Sequence, residues 1–357
     1  MMQRFIYDQL PARVIFGRGS LGELSKEVAR LGAARALVVA TPGHASLAEE
    51  VARLLETRAA GIYARAVMHV PVDTARAACE ETRRLTADCV VAIGGGSTIG
   101  LAKAIALETG LPILAVPTTY AGSEMTPIYG LTAGGRKNTG RDPRVLPKTV
   151  IYDALLTLDL PPQITGPSGM NAMAHCVEGL YAPNANPITS LLAGEGIRAL
   201  SRSLVRCVLN PRDLEARTEA LYGAWLAGVV LGSVGMGLHH KLCHVLGGSF
   251  NLPHAETHTI VLPHAAAYNA AAAPDAMRAI ADALPVGDAA EVPGALYDLA
   301  MLLGARVALR DIGLKESDLD QAAEIACAAP YPNPRPIERV AVQKVLEQAF
   351  QGVRPGS

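Results

Sequence analysis

The stretch Val90-Val91-Ala92-Ile93-Gly94-Gly95-Gly96-Ser97 joins a short apolar run to a glycine-rich turn. A β-branched, apolar run of this length is typical of a buried strand. The pattern from Thr98 to Glu108 predicts a helix directly after the turn. Glycines at such a junction let backbone N–H groups approach a phosphate, and the helix N-terminus favours negative charge there. The stretch therefore predicts an α/β unit with a phosphate-binding turn.

The same alternation of strand-like and helix-like segments continues to about residue 155. Strand-like runs occupy Arg35–Ala40, Asp88–Ile93, Leu111–Val116 and Lys148–Asp153, and helical patterns occupy Ser20–Leu31, Ser46–Thr57 and Thr74–Thr86. Continuously apolar strands separated by helices predict a mostly parallel, doubly wound sheet. Ser20 followed by Glu23 has the form of a capping box at the start of the first helix.

The pattern changes after Leu160-Pro161-Pro162, where long helical segments replace the strands. We therefore predict an α/β domain over residues 1–157 and an all-helical domain over residues 158–357. Pro330–Pro336 and the C-terminal Gly-Val-Arg-Pro-Gly-Ser have the composition of loosely ordered segments.

The composition is that of a globular chain without an evident macromolecular partner. Of the 357 residues, 50% are hydrophobic and 18% are charged, and the formal net charge is −1, so we expect no nucleic acid or membrane partner. The six cysteines form no C-x-x-C pair and are expected to be reduced core residues. The start, Met-Met-Gln-Arg-Phe-Ile-Tyr-Asp, lacks the apolar segment of a secretion signal, and we expect a cytoplasmic protein.

A second loop with hydroxyl side chains follows the run Leu111–Val116. It has the sequence Pro117-Thr118-Thr119-Tyr120-Ala121-Gly122-Ser123-Glu124. Since ligands of open parallel sheets lie beyond the carboxyl ends of the strands, the two loops together favour a bound dinucleotide. The segment Ala40-Thr41-Pro42-Gly43 offers no acidic residue to bind a ribose 2′-hydroxyl. We therefore expect both NADH and NADPH to be accepted.

Histidines are concentrated in the second half of the chain. Asn171 and His175 lie four residues apart, on one face of a predicted helix. Further imidazoles follow at His239, His240, His244, His254 and His258. A single histidine on an apolar helix is usually a core residue, whereas so many in one segment favour a functional site. Lys241 lies among them, and a solvated helix face explains it equally well.

The order of these motifs resembles the iron-containing alcohol dehydrogenase family over nearly the whole chain. The matching segments are Gly94-Gly95-Gly96-Ser97 with Ala102-Lys103, Pro117-Thr118-Thr119 with Gly122-Ser123-Glu124, Asn171-Ala172-Met173-Ala174-His175, and His240, His244 and His254. The resemblance implies a Rossmann-like domain before an all-helical one, a nicotinamide cofactor and a homodimer. In the family pattern, the divalent metal ligands stand at the positions of Asn171, His175, His240 and His254, and His244 lies near the nicotinamide.

Two positions depart from the family pattern, because Asn171 and Gly100 each stand where the family has Asp. With the segments around them, these departures resemble the branch that reduces the carbon–carbon double bond of maleylacetate to give 3-oxoadipate. That resemblance implies a small dicarboxylate substrate. An amide at position 171 lacks the charge that attracts a cation, so we expect that no divalent metal is required. If a metal does bind, its expected ligands are His175, His240 and His254.

From the residues and the resemblance together we expect the following roles. Catalysis is assigned to His175, His240, His244 and His254, and substrate binding to Asn171 and Lys241. Cofactor binding is assigned to Gly94, Gly95, Gly96, Ser97, Thr98, Thr118, Thr119 and Ser123. His239, Lys241 and His258 flank the cluster and are expected to add positive charge.

Other functions stay open at this point. One is a metal-dependent alcohol or polyol dehydrogenase, in which His175, His240 and His254 hold Zn²⁺ or Fe²⁺ with water in place of the carboxylate. Another is a catalytically inactive nucleotide-binding protein with this fold, against which His244 and the complete cofactor loops argue. A dehydroquinate synthase-like lyase shares the fold and NAD use, but it needs a stronger metal site than Asn171 permits.

Overall fold

The computed structural model describes residues 5, 7, 10, 12–133 and 136–356. Two compact units divide the chain, one of Gln9–Leu160 and the other including Pro161–Ser357. The division follows Leu160, three residues beyond the boundary that the sequence predicts. The chain start, on which the expectation of no secretion signal rests, lies largely outside the described residues.

The first unit contains eight strands and four α-helices in its described part. The strands are β1 (Arg13–Phe16), β2 (Ala36–Val39), β3 (Ala59–Tyr63), β4 (Cys89–Gly94), β5 (Ile113–Pro117), β6 (Ile128–Ala133), β7 (Arg136–Arg141) and β8 (Thr149–Tyr152). The helices are α1 (Leu24–Arg30), α2 (Ala45–Leu55), α3 (Val72–Arg84) and α4 (Gly96–Thr109). Six strands form a parallel sheet in the order β1-β8-β5-β4-β2-β3, and β6 and β7 form an antiparallel hairpin.

The central strands are apolar throughout because the sheet is covered on both faces. Every residue of β2, β4 and β5 is buried. Alternate residues of β4 pack into different cores: Val90 and Ala92 into one, Val91 and Ile93 into the other. Side chains of a strand alternate between the faces of its sheet, so each face has its own helical cover. The doubly wound sheet predicted from the sequence is confirmed.

The predicted capping box at Ser20 and Glu23 is wrong. The hydroxyl of Ser20 donates to the carbonyl of Gly17 at 2.7 Å instead of capping the helix. The first turn is capped from across the unit by Asp153, whose carboxylate accepts from the backbone N–H of Gly19 at 3.0 Å and of Leu21 at 3.1 Å. An ionised carboxylate is a stronger acceptor than a hydroxyl, so the distant residue takes the capping position.

The second unit is all-helical in its described part, as predicted. Its α-helices are α5 (Pro162–Leu180), α6 (Pro187–Leu209), α7 (Leu214–Ser233), α8 (Leu238–Phe250), α9 (His254–Asn269), α10 (Pro274–Ala283), α11 (Val292–Leu302), α12 (Leu319–Cys327) and α13 (Arg339–Gln351). Within the described residues, only α7 and α8 taken together have the length and hydropathy of a membrane span, and they are bent by 96°; no single helix has them.

The cysteines are mostly buried. All six cysteines are free thiols and all but Cys327 are buried, which confirms the expectation of reduced core residues.

The expectation that Pro330–Pro336 is loosely ordered is wrong. Asn333 accepts at Oδ1 from the backbone N–H of Leu238 and from Asn269, both at 3.2 Å. The segment therefore fixes the start of α8.

Candidate active site

The turn after β4 and the loop after β5 lie side by side at the carboxyl edge of the sheet. The two strands pair up to Gly94 and Pro117, and the backbone N–H of Thr118 donates to the carbonyl of Gly94 at 3.1 Å. Helix α4 begins at Gly96, so the N–H groups of its first turn lie at the same edge. The structure thus brings together Gly94–Ser97, Thr118 and Thr119, all predicted to bind cofactor.

The turn requires glycine. Gly94 has a φ of +146°, and a Cβ there would lie 2.5 Å from Oγ1 of Thr98. A Cβ on Gly95 would lie 3.0 Å from the side chain of Thr119. Oγ1 of Thr98 and Oγ1 of Thr118 are buried without a hydrogen-bond partner in the described part of the chain. A phosphate at the start of α4 would accept from such hydroxyls, so these residues fit the pyrophosphate of a dinucleotide.

Lys103 holds the loop after β5 in place through hydrogen bonds from its ammonium group. Its buried Nζ donates to the carbonyls of Ser123 at 2.7 Å, Thr126 at 2.8 Å and Ile128 at 2.7 Å. It also lies 3.2 Å from Oγ of Ser123, a predicted cofactor ligand. Burial lowers the pKa of Lys103 to about 7. In its protonated form the amine can donate one N–H to each of the three carbonyls, which holds them together.

Three helices of the second unit form the imidazole cluster. Helix α5 carries Asn171 and His175, α8 carries His240 and His244, and α9 begins at His254. Asn171, His175 and His240 are at most 5% exposed. His254 is half-buried and His244 is exposed, so these two form the solvent side of the cluster.

Ring contacts connect the cluster across the helices. The ring centroids of His175 and His240 are 5.0 Å apart, and those of His240 and His244 are 6.2 Å apart. His254 joins through His258, at 4.3 Å, which in turn lies 4.9 Å from His240. The structure therefore brings together all four histidines that were predicted to be catalytic.

Hydrogen bonds engage both ring nitrogens of His240. Its Nδ1 lies 2.6 Å from Oε2 of Glu178, and its Nε2 lies 2.9 Å from Nδ1 of His175. A carboxylate only accepts, so His240 donates from Nδ1 to Glu178. Glu178, His240 and His175 are therefore linked in sequence by hydrogen bonds.

Glu178 is a site residue that we did not identify from the sequence. It is 1% exposed and lies on α5 with Asn171 and His175. These three positions have the spacing i, i+4 and i+7 of one helix face. A glutamate on the buried face of a helix almost always has a partner, so this spacing was the available signal.

His239 and His258 lie behind the cluster, and the expectation that they add positive charge is wrong. Nε2 of His239 and Nδ1 of His258 are 2.9 Å apart, and both side chains are fully buried. Burial, together with the neighbouring imidazoles, lowers the pKa of each ring well below its usual value, so both are neutral at pH 7. Burial likewise raises the pKa of the Cys243 thiol, which keeps it protonated.

Lys241 lies beside the histidines in sequence but is directed elsewhere. Its ammonium is 5.8 Å from the centroid of the Tyr331 ring, a cation–π contact. Binding of substrate by Lys241 stays a prediction.

The donor set differs at one position from that of the divalent metal site in the family pattern. Nε2 of His240 is hydrogen-bonded to Nδ1 of His175, so a metal at this nitrogen would have to replace that hydrogen bond. Position 171 supplies a neutral amide in place of a carboxylate, and the carboxylate of Glu178 is directed at His240. A second set of potential metal ligands consists of His239, Cys243 and His258, whose donor atoms lie within 4.8 Å of one another. In this set the two imidazoles are hydrogen-bonded to each other.

Comparison with known proteins agrees with this architecture. Residues 11–154 match the iron-containing alcohol dehydrogenase model, and residues 165–350 match the C-terminal model of the Fe-containing alcohol dehydrogenase family. A maleylacetate reductase of Burkholderia cepacia is 57% identical over 354 residues, covering 99% of this chain and 100% of that protein. The chain belongs to the iron-containing alcohol dehydrogenase family, in its maleylacetate reductase branch.

Solved structures of the iron-containing alcohol dehydrogenase family share the whole fold. A maleylacetate reductase from Agrobacterium tumefaciens matches with a TM-score of 0.94 at 50% identity, over 99% of this chain and 100% of that one. A putative alcohol dehydrogenase from Ralstonia eutropha matches with a TM-score of 0.97 at 61% identity, over 99% of each chain. The predicted fold class and family are confirmed, and the chain is an NAD(P)H-dependent oxidoreductase.

Proposed function

We propose that this chain reduces the carbon–carbon double bond of maleylacetate with NADH or NADPH. The product is 3-oxoadipate, formed in the breakdown of hydroxylated or chlorinated aromatic compounds. The observation that carries the proposal is the full-length identity of 57% to the maleylacetate reductase of B. cepacia. The imidazole cluster supports it, because the reaction needs proton donors and hydrogen bonds at one oxygen.

The substrate chemistry explains what the side chains must do. Maleylacetate is an alkene conjugated to a ketone and flanked by two carboxylates. The nicotinamide, when bound, supplies a hydride to the alkene carbon β to the ketone. The π electrons of the alkene then form a new double bond between the α carbon and the ketone carbon. The result is an enolate, whose negative charge rests on the ketone oxygen. The reaction is completed when the carbon α to the ketone takes a proton.

The imidazole cluster offers groups for stabilising the enolate oxygen and for protonating the α carbon. Imidazole N–H groups stabilise the enolate oxygen by hydrogen bonding, and a protonated imidazole gives the proton to the α carbon. His175 is hydrogen-bonded through Nδ1 to His240, so a proton can pass between these two rings. His244 and His254 are the accessible members and can take up the replacement proton from solvent.

The neutral amide of Asn171 suits a dianionic substrate. A carboxylate at this buried position would repel both substrate carboxylates across a short distance. We infer that the reaction proceeds without a divalent metal, with the hydrogen bond between His175 and His240 supporting this reading. A metal-dependent alcohol dehydrogenase is the second candidate function, and the putative alcohol dehydrogenase of R. eutropha, 61% identical, favours it.

We also infer that both nicotinamide cofactors are used. The pyrophosphate would bind at Gly94–Ser97 and the start of α4, next to the hydroxyls of Thr98 and Thr118. After β2, Thr41 contacts His44 at 2.9 Å, and no carboxylate occurs between residues 40 and 43 to reject a 2′-phosphate. We propose that the protein is a homodimer and has no nucleic acid or membrane partner. Sedimentation of the purified protein would test the oligomeric state.

Oxidation of NADH, followed optically, separates the two candidate functions. Maleylacetate and a panel of simple aldehydes would be offered to the same enzyme preparation. The proposal predicts rapid turnover of maleylacetate and little of the aldehydes. Turnover of the aldehydes alone would establish the alcohol dehydrogenase instead.

A further inference from the structure

The first turn of α9 has backbone N–H groups without an acceptor. Pro253, which precedes this helix, supplies no side-chain cap. The backbone N–H groups of Ala255 and Glu256 have no hydrogen-bond acceptor in the described part of the chain. Both residues are half-buried, so this turn is open to a ligand from solvent.

The start of α8 shows how an anion fits such a turn. Oε1 of Glu178 accepts from the backbone N–H of His239 at 2.9 Å, and Oε2 accepts from that of His240 at 3.3 Å. Free N–H groups and the helix dipole favour negative charge at a helix start. The start of α9 receives no such carboxylate from another described helix. The acidic residue in its first turn is Glu256 itself, and a bound carboxylate would take over its role there.

A buried histidine one turn further along α9 offers another nitrogen. His258 is fully buried, and the centroid of its ring lies 4.3 Å from that of His254, the first residue of the helix. Side chains on a helix lean towards its N-terminus, so the ring of His258 lies over the first turn. Its Nδ1 is 2.9 Å from Nε2 of His239, whereas its own Nε2 is buried without a hydrogen-bond partner in the described residues.

The pair of His239 and His258 has one more ring proton than its mutual hydrogen bond uses. Each imidazole carries at least one proton, and only one proton can lie between the two rings. A further proton is therefore either on Nε2 of His258 or on Nδ1 of His239, which is also buried without a described partner. An anionic oxygen beside Nε2 of His258 favours the first arrangement, because a buried donor gains an acceptor there.

We propose that the start of α9 binds one carboxylate of the substrate, through the backbone N–H groups of Ala255 and Glu256 and Nε2 of His258. The inference rests on the proposed function, in which the substrate is a dicarboxylate. Helix N-termini are common sites for carboxylates and phosphates. Because His254 belongs to the same turn, a carboxylate bound here holds the substrate beside the imidazole cluster.

Amide spectra of the full chain test the site without turnover. The probe is adipate, an unreactive dicarboxylate with the chain length of maleylacetate. We expect the amide resonances of Ala255 and Glu256 to shift on titration and to reach saturation. The amide of Ala216, at the start of α7, is the matched control because the carboxylate of Asp213 already accepts from it at 3.0 Å. Adipate that leaves the Ala255 and Glu256 amides unmoved, or that moves Ala216 as much, would overturn the proposal.

Two histidine variants test the side-chain donor by calorimetry with adipate. A hydrogen bond to a charged group is a strong one, so His258→Leu should raise the Kd for adipate about 10-fold or more. His264→Leu removes another buried histidine of α9 and should leave this Kd unchanged. Equal Kd values for wild type and His258→Leu, or an equal loss in His264→Leu, would contradict the proposal. If the wild type does not turn over maleylacetate, the proposed function fails, whereas the adipate titration still decides whether this helix start binds a carboxylate.

Discussion

His175 and His240 are joined by a direct hydrogen bond, with 2.9 Å between Nδ1 of the first and Nε2 of the second. In the family pattern these two side chains bind one metal ion together. Here they bind each other, and the remaining nitrogen of His240 is held by Glu178. The cluster is therefore linked by hydrogen bonds from Glu178 through His240 to His175.

Replacing the amide at the site by a carboxylate should restore metal binding. In Asn171→Asp, a hard, charged oxygen joins three imidazoles, which favours a divalent ion over the hydrogen bond between His175 and His240. The metal-free variant should have a raised KM for maleylacetate, since a like-charge contact at about 5 Å and an effective dielectric of ~20 costs roughly 3 kcal/mol. Metal analysis and KM with and without added zinc measure both effects. If neither changes, Asn171 lies outside the substrate site.

Removing a hydroxyl from the cofactor loop should weaken NADH binding without destabilising the protein. Oγ1 of Thr98 is buried and has no partner in the described residues, so Thr98→Val removes an unsatisfied group from the free enzyme. A hydrogen bond to a charged phosphate contributes about 1.5–3 kcal/mol, so the Kd for NADH should rise about 10-fold or more.

Thr82→Val is the matched control for this substitution. The hydroxyl of Thr82 is also buried but already donates to the carbonyl of Ala78 at 2.7 Å, within α3. Its replacement should lower Tm and leave the Kd for NADH unchanged. The opposite result, a lower Tm and unchanged Kd for Thr98→Val, would remove Thr98 from the cofactor site.

The two nicotinamide cofactors should be used with similar efficiency. The segment after β2 has no acidic side chain, so discrimination should stay within about tenfold in kcat/KM, or about 1.4 kcal/mol. Steady-state kinetics with NADH and NADPH at fixed maleylacetate measure the ratio. A preference of several hundredfold, on the order of 3 kcal/mol, would mean that another residue rejects the 2′-phosphate.

Acid should destabilise the protein partly through His264. Burial lowers the pKa of this side chain to about 4, whereas an unfolded histidine titrates near its usual 6.5. Between these values the unfolded state binds a proton that the folded state does not, so stability falls as pH falls from about 6.5 towards 4. The loss between pH 7 and pH 5 from this group is about 2 kcal/mol. Urea unfolding of wild type and His264→Leu at both pH values should show this difference in slope; parallel losses would contradict it.

The sheet could be predicted from the sequence only where burial on both faces imposes a pattern. The central strands β2, β4 and β5, and also β8, were predicted because all of their residues are buried and most are apolar. The edge strands β1 and β3 were missed because most of their residues are half-buried or exposed. Their conformation depends on pairing with β8 and β2, which local sequence does not reveal.

The candidate site could be predicted as a set of residues but not as a network. Spacing placed Asn171 and His175 on one helix face, and the family resemblance connected them with His240 and His254. The partner of His240 is 62 positions away, and that of Asp153 is Gly19, 134 positions away. Such contacts depend on how helices and strands pack, so neither Glu178 nor the correct helix cap followed from local patterns.

We propose that the imidazole cluster supports reduction of maleylacetate without a divalent metal. The most direct test is turnover of maleylacetate with NADH after prolonged treatment with dipicolinate, together with measurement of the residual metal content. We expect undiminished turnover in the metal-depleted enzyme and no gain when zinc or iron is added. Loss of turnover on chelation, restored by one of these ions, would contradict it.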